Sequence, residues 1–163
     1  MKRTLLLGLM LLALTCSNYA FAGHPILNGY AESTTEAKEA MQQAQKQLSY
    51  ALAESTKLAR LKDYCKAQTN YIKALQRLTE AMAFVANSKG NTSPEVQAKL
   101  QELEKTITIT TGIDVSRKIV RAEVGRLLSK SSQRTVLYTL VTLSNEAISR
   151  LEQCASEYIP LVK

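Results

Sequence analysis

LKDYCKAQTNYIKALQRLTEAMAF, residues 61–84, carries the pattern that decides the fold. Leu61, Cys65, Gln68, Ile72, Leu75, Thr79 and Met82 recur at alternating steps of four and three, and Ala86 continues the series. Such spacing stacks side chains on one face of an α-helix. Tyr64, Tyr71, Leu78 and Val85 flank this stripe at heptad intervals, so the segment should face more than one neighbour. No Gly or Pro interrupts the chain from Tyr30 to Lys89, and the run is rich in strong helix formers. Ser33-Thr34-Thr35-Glu36 has the spacing of a capping box and predicts a start near residue 34. Lys89-Gly90 predicts the end. An unbroken helix over this run would be about 90 Å long. A thinner seam of Met41, Ala44, Leu48, Ala51, Ser55 and Leu58 precedes the wide stripe, and the register slips between 58 and 61. The seam at 37–53 has two uses open to it, folding back on the bundle or meeting a partner helix.

Ser93-Pro94-Glu95 predicts the next start, with Ser as N-cap, Pro at the first helical position and an acid in the first turn. Val96, Leu100, Leu103 and Ile107 follow at helical spacing until Thr106-Ile107-Thr108-Ile109-Thr110-Thr111-Gly112. This β-branched run is a poor helix former ending in Gly, and predicts a helix end with a reversal at Gly112. Asp114 would cap the next segment, which carries Ile113, Val120, Val124 and Leu127. A polar interruption at Ser129–Gln133 leads into a last helix over 134–158. Its face is Leu137, Leu140, Val141, Ser144, Ala147, Ile148, Leu151, Cys154, Ala155 and Tyr158, and Pro160 should stop it.

Residues 1–22 read as a secretory signal peptide. Lys2 and Arg3 form the positive start, Leu5–Leu14 the apolar stretch, and Ala20-Phe21-Ala22 the cleavage site. A lipoprotein reading at Cys16 is disfavoured by Thr15 where a small residue belongs. Export to the periplasm is expected, with Gly23 as the mature N-terminus, residues 23–33 flexible and 34–160 forming one domain. Removal of 22 from 163 residues leaves 141, and loss of Lys2 and Arg3 leaves 19 basic against 14 acidic residues, net +5. Two cysteines survive, so an oxidising compartment predicts a Cys65–Cys154 disulfide. With Gly112 as a turn, the last helix runs antiparallel to 61–88 and brings Cys154 within about three residues of Cys65. That register places Ile72 near Ile148, Leu75 near Ser144 and Met82 near Leu137. An uninterrupted helix from 94 to 129 would instead make the helices parallel and separate the cysteines by about 10 Å of rise. The expected fold is therefore all-α: an elongated antiparallel bundle of about four helices, with a long first helix, stapled by one disulfide.

Catalysis is not expected. The one His, His24, stands at the second mature position, and no carboxylate pair falls on an apolar face. Haem would lack its usual axial His, and no metal or cofactor is expected in the folded body. A mature Gly23-His24 terminus has the nitrogen donors of a Cu(II) chelate, a narrow hypothesis weighed against a frayed end. The basic residues are more suggestive. Lys62, Lys66, Lys73 and Arg77 fall within about 60° on a helical wheel. Arg117, Lys118, Arg121, Arg126, Lys130 and Arg134 form a second cluster, opposed by Glu123. Together they are the candidate surface for an anionic partner. Nucleic acid is not expected, since no aromatic or Gly-rich reading motif is present. The expected function is protein–protein interaction in the cell envelope, as an adaptor, chaperone-like factor, immunity protein or secretion-system accessory. A small-molecule or metal-binding bundle is the alternative.

Overall fold

The wide stripe on residues 61–86 forms the centre of the molecule. In the structure, a computed structural model describing residues 25–88 and 93–162, every member of that stripe and of its flank is buried. The described residues form four helices and no strand: α1 (Pro25–Ser49), α2 (Glu54–Ser88), α3 (Pro94–Leu127) and α4 (Lys130–Val162). Helix α2 packs closely on α1 and on α4, α3 packs closely on α4, and α2 and α3 touch more sparsely. The predicted face of α4 is buried as well, except Cys154, which is half-buried.

The helix count agrees with the sequence, but the chain is divided differently. The expected long first helix is two helices. It breaks at residues 50–53, where neither Gly nor Pro stands, and α1 folds back along α2. Folding back buries Leu27, Ala31, Thr34 and Met41, spaced four, three and seven apart on one helix face, which a single extended rod would leave in water. Arg60 reaches Gln47 at 3.2 Å and the Thr34 hydroxyl lies 3.3 Å from the Ala74 carbonyl, fixing the antiparallel register. Helix α1 also begins at Pro25, earlier than the Ser33–Glu36 box, so residues 25–33 are helical rather than a flexible lead-in. The signal peptide and the Gly23-His24 pair lie outside the described residues.

The reversal expected at Gly112 does not occur. Helix α3 begins as predicted, with Ser93 accepting from the Val96 amide at 3.4 Å and Pro94 in the first turn, and then runs through the threonine stretch. The hydroxyls of Thr106, Thr108 and Thr110 each donate to the carbonyl four residues back, at 2.7–2.9 Å, so the stretch satisfies its own polar groups inside the helix. Burial holds it there. Val96, Leu100, Leu103, Thr110 and Asp114 are buried and Ile107 half-buried, an unbroken four-three seam. Asp114 is therefore no cap. It sits inside the helix and pairs with Lys118 at 3.0 Å. The next connection is short: Leu128 is extended, Ser129 accepts from the Ser132 amide at 3.3 Å, and α4 starts at Lys130. Helix α4 continues two residues beyond Pro160.

One reversal fewer between α2 and α4 makes them parallel. Glu54 pairs with Arg134, the Gln68 amide donates to Asn145 at 2.7 Å and to the Val141 carbonyl at 3.3 Å, and Tyr71 donates to Glu152. Partner numbers rise together, with offsets of 80, 77 and 81. Cys65 is thus level with residues near 143 and Cys154 with residues near 76, about 15 Å apart along the axis. A disulfide spans about 7 Å between Cα atoms. Both residues are thiols, and the staple expected from the cysteine count is not formed. The Cys154 sulfur instead lies 3.4 Å from the Thr106 hydroxyl. Of the three expected side-chain pairs, Ile72 and Ile148 lie within about a turn of each other along the axis. Ser144 and Leu137 sit near the start of α2, away from Leu75 and Met82.

Polar groups fix this register inside the core. Lys38 of α1 meets Glu152 at 2.8 Å, and Glu152 also accepts from Tyr71, tying three helices together. Burial raises the pKa of Tyr64 despite hydrogen bonds to Asn145 and Gln68. Tyr158 is pushed up to about 12, also by burial, and its hydroxyl finds no hydrogen-bond partner among the described residues.

Two substitutions test this arrangement. Gly112 is exposed, and a Cβ placed there would meet nothing within 4 Å. Gly112→Ala should therefore stabilise the protein by about 0.5–1 kcal/mol in urea unfolding, as expected of an exposed helix interior. A turn needing positive φ at 112 would be destabilised instead. In the core, Leu75→Ala and Leu137→Ala should each cost about 2–5 kcal/mol, and half-buried Leu48→Ala less. A larger loss at Leu48 than at either of the others would contradict this placement of the core.

Candidate partner-binding surface

Helix α2 is enclosed on most of its circumference, and the arc it leaves to solvent is the predicted basic stripe. Lys62, Lys66, Lys73 and Arg77 are all exposed. Phe84 lies seven residues beyond Arg77 within the same arc and is 71 % exposed. Glu80 is an acid on this arc, also exposed. The sequence reading passed over Phe84, although its spacing from Arg77 and Lys73 placed it on the stripe. Phe84 adds an exposed aromatic side chain to the cations of this arc.

Beside the stripe, α1 and α2 leave an open groove of about 420 Å³, lined by Ser33, Glu36, Ala37, Ala40, Asp63, Lys66, Ala67 and Asn70. Its floor is alanine, which lets a third helix approach closely. Its rim mixes charges of both signs. The groove is a surface feature, whereas the interior between α2 and α4 is filled by Leu, Ile, Val, Met and Tyr side chains.

The second basic cluster divides in three. Arg126 and Lys130 are exposed on either side of the α3–α4 turn. Lys118 and Arg134 are each paired, with Asp114 and with Glu54. Arg117 and Arg121 lie in α3, and their side chains are outside the described residues.

The topology also sorts charge along the long axis. Across-helix pairs place residues 42–49, 54–66, 113–127 and 130–144 in one half of the bundle. Those segments hold eleven Lys and Arg against four Asp and Glu, net +7. The remaining helical segments hold six against ten, net −4. Most of the candidate basic residues gather in the positive half, with Lys73 and Arg77 carrying the α2 stripe into the other. In the negative half, Lys99 meets Glu157 at 2.5 Å and Glu102 at 3.1 Å. Its pKa is raised by these hydrogen bonds, and that of Glu157 is lowered by Lys99. Among the described residues, no group of three or more His, Cys, Asp or Glu is arranged to hold a metal ion.

No protein-family model, curated protein or solved structure matches this chain.

Proposed function

We propose that the protein is an exported, non-catalytic helical bundle that acts by binding an acidic partner protein along the outward face of α2. The carrying observation is the contrast around that helix. Most of its circumference is covered, and the arc left to solvent presents four cations, one acid in Glu80 and an exposed Phe84. The four cations outnumber Glu80 on this arc, and a net positive surface steers encounter with an acidic partner and rejects basic ones. A solvent-exposed aromatic at the end of the stripe supplies the desolvated anchor that charge alone does not give. The alanine-floored groove beside Lys66 suits the edge of a docked helix better than an enclosed small molecule. The signal-peptide pattern of residues 1–22 supports a site of action in the periplasm, with cleavage after Ala22. An adaptor, chaperone-like factor, immunity protein or secretion-system accessory would each work this way.

A photo-crosslinking residue at position 73, used in envelope extract, identifies the partner, and rate measurements on the purified pair then test the reading. Lys66→Glu with Lys73→Glu should slow association about tenfold at low ionic strength, and added salt should shrink the difference. Phe84→Ala should speed dissociation about tenfold or more with little effect on association. Unfolding midpoints should change little, because all three side chains are exposed. Rates indifferent to both changes in a fully folded variant would return this arc to ordinary solvated surface.

A further inference from the structure

The positive half of the bundle ends in two turns, and both expose apolar side chains. At the α1–α2 turn, Leu52 is 90 % exposed and Tyr50 79 %, while Ala51 between them is buried. At the α3–α4 turn, Leu128 is exposed in extended backbone. The ion pair of Glu54 with Arg134 joins the two turns into one surface. Nothing in the packing requires a Leu or Tyr at 50 and 52, since both point away from the bundle. Around them stand Lys46, Lys57, Arg126, Lys130 and Arg134. Glu54 is shared between Lys57 and Arg134, and Glu123 is the other acid near this end. The tip is thus apolar at its points and cationic at its collar.

We infer that this end of the bundle docks on an anionic lipid bilayer, with Tyr50, Leu52 and Leu128 entering the headgroup region and the basic collar resting on the lipid phosphates. The inference is independent of the partner face on α2. Three observations carry it. Charge is complementary to an anionic surface, each basic residue close to such a surface raising binding on the order of fivefold. The apolar residues are a Tyr and two Leu on convex turns, and a fluid bilayer receives separate protruding side chains without a matching shape, Tyr in particular settling at the headgroup level. Size also argues against a protein in the same place. Four helix ends packed at 8–10 Å spacing offer roughly 400 Å², about half of what one side of a stable protein interface buries. Among the described residues no helix is long and apolar enough to cross a membrane, so the contact is peripheral.

The chain contains no Trp, so Tyr50→Trp gives a single reporter at the tip. The experiment uses the chain from Gly23 onward, which holds all four helices, with vesicles of phosphatidylcholine alone or mixed with phosphatidylglycerol. Emission should shift to the blue, and the protein should sediment, with the mixed vesicles and not with phosphatidylcholine alone. Arg126→Glu with Lys130→Glu should lower partitioning at least about tenfold. Leu52→Glu should lower it by a similar factor and abolish the shift. Circular dichroism on each variant confirms that the helices persist, since all these positions are exposed. Failure to sediment with phosphatidylglycerol vesicles at low salt would overturn the inference. So would sedimentation unchanged by Leu52→Glu and without a blue shift, which would mean loose adsorption by charge alone. A shift produced by an acidic protein but not by vesicles would place a protein at the tip instead.

Discussion

Whether α4 runs with or against α2 follows from the number of reversals between them, and that number is set by one stretch of chain, residues 106–112. If the helix ended there, three reversals would separate α2 from α4 and the two would be antiparallel. Because α3 carries on to Leu127, two reversals separate them, and the central pair is parallel. The arrangement of α3 and α4 against α2 depends on this parity. It places the start of α2 beside the α3–α4 turn, gathers the basic segments at one end, and parts Cys65 from Cys154. The local preference against helix of a Thr-Ile-Thr-Ile-Thr-Thr-Gly run amounts to a few tenths of a kcal/mol per residue. Burying the seam that includes Leu103, Ile107 and Thr110 outweighs it, and hydroxyls bonded to the preceding turn remove the polar penalty.

The parallel pair is held in register by polar contacts as well as by apolar packing. Gln68 is buried and donates to both Asn145 and the Val141 carbonyl, so a slip by one turn would leave an amide without its acceptors. Such a loss costs about 1–3 kcal/mol, more than one such hydrogen bond contributes to stability. The Lys38–Glu152–Tyr71 group does the same for α1 against the central pair. These contacts stand where the sequence reading placed a covalent staple. A buried Cys65 is also shielded from oxidants, which makes a reduced pair compatible with an exported chain.

Much of the core was legible. The 61–86 stripe, its heptad flank and the face of the last helix are mostly apolar at the spacing a helix demands, and all but Cys154 proved buried. The break at 50–53 was not legible, because Tyr-Ala-Leu-Ala offers no turn chemistry. Packing makes that break, through the gain from laying α1 on α2. The continuity of α3 left a signal that is plain in retrospect. Val96, Leu100, Leu103, Ile107, Thr110 and Asp114 keep one four-three rhythm, but the β-branched run ending in Gly112 read as a helix end and Asp114 as the cap of a new segment, so the last two were not joined to the seam. The α2 stripe could be drawn from angles alone, because a regular helix presents residues predictably. The tip could not. The exposure of Tyr50 and Leu52 exists only because the chain turns there.

The parity of reversals can be measured directly as a distance. Spin labels on Ala59→Cys and Lys130→Cys, both exposed sites, suit double electron–electron resonance in a Cys154→Ser background with buried Cys65 left in place. In the parallel arrangement the two positions differ by about 10 Å along the axis, and the labels should lie less than about 30 Å apart. In the antiparallel arrangement the axial difference is about 45 Å. A narrow distribution at the shorter distance is the result this account predicts. A distribution centred above about 40 Å would contradict it, and with it the gathering of basic residues at one end.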